Sequence, residues 1–148
     1  MEIRLGDISH IIQLAIAPVF LLTGVGTNLA VLTNRLARII DRTRVLEDRI
    51  KAAGAENIEL LSELETLFLR AHLIHRAITL STSCGLLVCL VIAALFVGGA
   101  LNLALANLIA LFFVFGMLSL IGSFVYLLRE IFVATRTLSM RHMLVTKK

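Results

Sequence analysis

Residues 31–50 read VLTNRLARIIDRTRVLEDRI. The stretch begins as the end of an apolar segment and turns arginine-rich within four residues, so the fold hinges on what those arginines face. Leu32, Leu36, Ile39, Leu46, Ile50 and Ala53 recur at helical spacing and form one apolar stripe. Arg35, Arg42 and Arg49 recur every seven residues along one flank of that stripe, the position that meets the edge of a partner helix in a coiled pair. A second stripe follows in Leu60, Leu64, Leu67, Phe68, Ala71, Ile74 and Ile78. Between the two lies AAGAEN, residues 52–57, with Gly54 as a helix stop and Glu56 and Asn57 as the next start. The pattern predicts an antiparallel helical hairpin over 35–76. Its register brings Arg49 to Glu56 and Arg42 to Glu63, and sets Arg35 opposite Arg70. Arg38, Arg44 and Lys51 have acids three or four positions away in Asp41, Glu47 and Asp48, so pairs within the helix account for them.

On either side of the hairpin the chain turns apolar. Of its 148 residues 59% are hydrophobic and the mean hydropathy is +0.96, more than a soluble domain of this size hides in a core. No charged residue lies between Asp7 and Arg35, or between Arg76 and Arg129. A crossing helix needs about 20 apolar residues, so the first gap fits one span and the second fits two. The expected spans are roughly 10–33, 77–98 and 106–128, with GGALNLALAN, residues 98–107, as the turn between the last two. The predicted class is all-α: an integral membrane protein of three spans, with the hairpin between spans 1 and 2 and a tail over 129–148. Cytoplasmic segments retain Lys and Arg. Residues 35–76 carry eight of the fourteen basic residues and the tail five. That asymmetry puts the hairpin and the C-terminal tail in the cytoplasm and the N-terminus outside. The net charge of +4 is thereby a topology signal, with no case for nucleic-acid binding.

Span 1 carries a small and polar stripe: His10, Gln13, Ala17, Gly24, Thr27, Asn28, Val31 and Asn34 follow at steps of helical size. Polar groups within hydrocarbon face protein or water. Packing against the other spans of the same protomer is the plainer expectation, because span 3 offers a matching stripe in Gly116, Ser119, Ser123 and Tyr126. The alternative is a water-lined pore in a homo-oligomer. TGVGT, residues 23–27, superficially resembles a potassium filter but sits within a helix-length apolar run. Ala15-Ile16-Ala17 has the form of a signal-peptide cleavage site, yet Pro18, the acidic arm Glu2 and Asp7 and the apolar run to Val31 favour a retained anchor. Pro18 frees a carbonyl near Leu14 or kinks the span.

Reactive groups are sparse. Cys84 and Cys89 lie about 140° apart around one helix, a spacing for buried thiols rather than a disulfide. His72 and His75 sit one turn apart without a third nearby ligand, a weak metal signal. The spans as drawn hold no Asp or Glu for a proton relay, and neither a nucleotide motif nor a haem-like histidine pair is present. No enzymatic activity, metal or cofactor is expected. Arg35, Arg70 and Arg76 have no acidic neighbour in sequence at the cytoplasmic surface, where anionic headgroups are the expected partners; in a pore they would form a positive ring at its mouth.

The run IAPVFLLTGVGTNLAVLTNRLARIIDRTRVLE, residues 16–47, resembles the small bacterial membrane proteins grouped as domain of unknown function 2721. The matching residues are Pro18, Gly24, Gly26, Arg35, Leu36, Arg38, Ile39, Asp41 and Arg42. The resemblance implies a three-span helical protein and brings no activity or catalytic residues with it. Together these readings predict a non-enzymatic protein of the bacterial cytoplasmic membrane. It would be a homo-oligomeric scaffold or an accessory subunit of a larger membrane complex, with an ion channel lined by span 1 as the alternative.

Overall fold

The computed structural model describes residues 5–53, 58–101 and 105–145, with side chains placed over 9–52, 58, 60–101 and 105–135. Its described residues form three helices and no strand: α1 (Leu5–Ala53), α2 (Ile58–Leu101) and α3 (Ala106–Val145). Each is long and apolar enough to cross a membrane. At 49, 44 and 40 residues, each also has about twice the length that a crossing uses. The expected first span and first hairpin arm are therefore one helix, which runs through Pro18 without a break. Arg, Ala and Leu make up about half of its second half, where good helix formers continue what the apolar half began. Lys51 in its last turn complements the negative end of the dipole. Gly54 and the rest of the expected turn over 54–57 lie outside the described residues, as do 102–104 of the second turn.

The chain divides into two compact units, and every helix contributes to both. The first comprises Met1–Ala30 and Thr79–Gly122. Its core is Val25, Cys84 and Val88, ringed by Leu21, Leu22, Leu29, Ile92 and Leu120. Polar groups inside it are paired: the Asn28 carboxamide donates to Ser81 Oγ at 3.2 Å, and Ser119 Oγ donates to the Leu80 carbonyl at 2.7 Å. A methyl group added at Gly116 would sit 3.6 Å from Leu87 Cβ, so the missing side chain is what lets α3 come close to α2.

The second unit comprises Val31–Ile78 and Ser123–Lys148. Leu32, Ile39 and Leu46, seven residues apart, pack with Leu67, Ile74 and Ala77 as its core, and Tyr126 and Leu127 of α3 close over them. Ser123 Oγ donates to the Ala77 carbonyl at 2.8 Å. Two expectations need correction. Phe68, placed in the apolar stripe by sequence, is 55% exposed; Leu64, Leu67 and Ala71 fill the seam without it. The small stripe of α3 finds its complement on α2 rather than on α1, through the serine bonds to Leu80 and Ala77. Serine reaches a helix carbonyl only where that helix is close enough to touch, so these bonds fix the packing partner.

Candidate functional site

The second unit builds its polar site from the flank of the hairpin. Arg42 sends Nε and Nη2 to Glu63 Oε1 at 3.3 and 2.8 Å. One heptad back on α1 is Arg35; one heptad forward on α2 is Arg70. As α1 recedes by seven α2 advances by seven, which is the signature of an antiparallel pair. Two arginines facing each other at that step would repel, and an acid from the third helix resolves it. Glu130 of α3 accepts from Arg35 Nη1 through Oε2 at 2.6 Å. Its Oε1 accepts from Arg70 Nε and Nη2 at 3.0 and 2.8 Å. The carboxylate is completely buried, whereas the Arg35 and Arg70 side chains keep 38% and 26% of their exposure. Among the described residues no buried side-chain nitrogen or oxygen lacks a partner.

Arg35, Arg38, Arg42 and Arg70 line a cavity of about 290 Å³ with Ile39 and Leu67 as its apolar wall. Arg38 is exposed, and among the described residues it makes no ion pair, with Asp41 or otherwise. Of the remaining residues singled out by sequence, Arg76 is exposed and Arg49 is exposed, while Glu56 lies outside the described residues. His72 and His75 are exposed on α2. Among the described residues no three His, Cys, Asp or Glu side chains converge as a metal site.

Sequence reasoning misses Glu130, because it lies two residues past the expected end of span 3 and reads as part of the tail. The signal was there: Gly116, Ser123 and Glu130 are seven apart, so the small stripe of α3 continues into the acid.

In the first unit, Asn28 is the buried member of the α1 stripe, whereas Gln13, Ala17, Gly24 and Thr27 are exposed. Asn34, in the second unit, is exposed as well. Methyl groups built at Gly24 and Gly26 would meet nothing within 4 Å. Thr23 and Thr27 return their hydroxyls to the carbonyls of Val19 and Thr23. A wider cavity of about 640 Å³, lined by carbon side chains such as Ile11, Leu14, Leu95 and Phe113, holds no titratable group.

Three membrane-length helices and an inter-helix carboxylate shared by two arginines define a small helical membrane protein. Residues 15–140 match the family described as protein of unknown function (DUF2721), and the chain belongs to it. Compared with curated proteins and with solved structures, it has no match.

Proposed function

We propose that this is a non-enzymatic membrane protein that acts as a homo-oligomeric scaffold or accessory subunit of a membrane complex. The observation that carries the reading is the uncovered α1 stripe. Gln13, Gly24 and Thr27 are exposed on a helix of membrane-crossing composition, and the space beside Gly24 and Gly26 is open. A carboxamide facing hydrocarbon is costly, and bare glycine backbone suits a second helix at close range. A second copy of α1 would satisfy both. The channel reading draws on the same exposure, with Arg35 at the mouth. It is weaker because Thr23 and Thr27 turn their hydroxyl protons to their own helix, leaving only acceptor lone pairs for pore water.

The basic hairpin and tail lie on the cytoplasmic side of a bacterial inner membrane in this reading, with Arg76 against anionic headgroups. The bonds of Arg35 and Arg70 to Glu130 support one part of it, since groups entering from the hairpin and from the tail must share a membrane side to meet.

The test uses single cysteines at Gln13, Gly24, Thr27 or Asn34 in a background lacking Cys84 and Cys89, in liposomes. Oxidative crosslinking of two copies through Gly24 or Thr27, with protection from a membrane-impermeant thiol reagent, is the scaffold result. Labelling of Gln13, Thr27 and Asn34 by that reagent in a defined oligomer is the channel result. A monomer without crosslinks overturns the channel and the homo-oligomeric scaffold, and an accessory subunit then has to co-purify with its complex.

A further inference from the structure

We infer that the cavity lined by Arg35, Arg38, Arg42 and Arg70 is a binding site for a terminal phosphate group, carried by a phosphomonoester lipid headgroup or by free phosphate. This goes beyond the scaffold reading and does not depend on oligomerisation.

Charge is the first ground. Four guanidiniums line the cavity, and the carboxylates paired with them are Glu130 and Glu63, so two positive charges are left uncompensated. A phosphomonoester carries about −1.5 to −2 at neutral pH and matches that excess; a phosphodiester or a carboxylate supplies half of it. Unspent donors are the second. A guanidinium has five N–H groups. The bonds to glutamate use one nitrogen of Arg35 and the Nε and Nη2 of Arg42 and Arg70, so each keeps at least one amino group. Arg38 makes no ion pair among the described residues and keeps its whole fork. The planar fork suits bidentate recognition of phosphate oxygens.

Shape is the third ground. At about 290 Å³ the cavity lies just below the ~300–1,000 Å³ of drug-sized ligand sites, so it takes a headgroup rather than a nucleotide. Ile39 is buried and Leu67 is buried, and together they close one side of the cavity with an apolar wall. The glutamates have a second role here. By bonding Arg35, Arg42 and Arg70, they hold those side chains in place before any anion arrives, which lowers the ordering cost of binding.

The test titrates the full-length protein in neutral detergent at constant ionic strength. One arm is calorimetry with inorganic phosphate; the other is native mass spectrometry with phosphatidic acid against phosphatidylcholine. Wild type should bind in at least one arm. Arg38→Gln should weaken that binding about tenfold or more, with Arg38→Lys intermediate and the ligand-free unfolding temperature unchanged. Arg129→Gln, an exposed arginine outside the cavity, should bind as wild type. Binding of phosphate alone assigns a soluble source and of phosphatidic acid alone a lipid one. Failure of both arms, wild-type binding by Arg38→Gln, or an equal loss in Arg129→Gln overturns the site.

Discussion

Arg35 and Glu130 stand 95 positions apart in sequence and 2.6 Å apart in space. The acid is completely buried, and Arg70 holds its other oxygen. A buried ion pair is weak evidence for stability against an apolar replacement, but removing one partner strands the charge of the other. Glu130→Gln should therefore cost about 3–5 kcal/mol, read as a fall in the denaturant midpoint of the reconstituted protein. Adding Arg35→Gln to it should cost less than the sum of the two single changes. Additive losses would mean that the two side chains do not interact.

The Arg42–Glu63 pair is a different case, because its arginine is half exposed. Arg42→Ala and Glu63→Ala should each lose about 1 kcal/mol or less, and the loss should shrink in high salt. Unfolding at low and high ionic strength checks this, and a salt-independent loss of several kcal/mol would place the pair in a dry environment.

Core and surface should separate cleanly along α2. Ile74 is completely buried and Phe68 is 55% exposed. Ile74→Ala should cost about 2–5 kcal/mol, whereas Phe68→Ala should stay within about 0.5 kcal/mol. Equal effects would put Phe68 against something within the protomer.

The sequence made the helices and the hairpin register readable because both follow from periodicity, which is a local property. Leu32, Ile39 and Leu46 announce a seam by spacing alone, and Arg42 finds Glu63 by counting outward from Gly54. Glu130 was not readable in that way. Its partners lie on two other helices, and no local rule says where a third helix docks on a pair. The α3 stripe misled for a related reason: small residues advertise close approach without naming the neighbour, and α2, with Ser81, Ser83, Cys84 and Gly85 between Leu80 and Leu87, offers them as readily as α1 does. The exposure of Gln13 and Thr27 is likewise a property of the assembled fold, not of α1.

Glycines should divide by surroundings. Gly24→Ala meets open space and should leave protomer stability unchanged, while Gly24→Leu should abolish crosslinking between copies if α1 is the contact. Gly116→Leu should destabilise the protomer itself, because Leu87 Cβ and Val88 already lie at contact distance from a first methyl. Thermal unfolding together with crosslinking yield distinguishes the two effects.

The cysteines offer a check that needs only conservative replacement. Cys84 is buried and Cys89 exposed on the same helix. With each present alone, a membrane-permeant maleimide should modify Cys89 faster than Cys84, and Cys84 fully only after denaturation. Equal rates in the native state would contradict the packing of the first unit.

The source of Glu130 also sets an order of events during synthesis. Chains emerge from the N-terminus onward, so Arg35 and Arg70 are made, and their helices can pair, before the carboxylate that joins them exists. Until then the hairpin carries two facing cations at one step of its seam. Arrival of α3 neutralises that step, so the last helix to be made is the one that completes the polar core of the second unit.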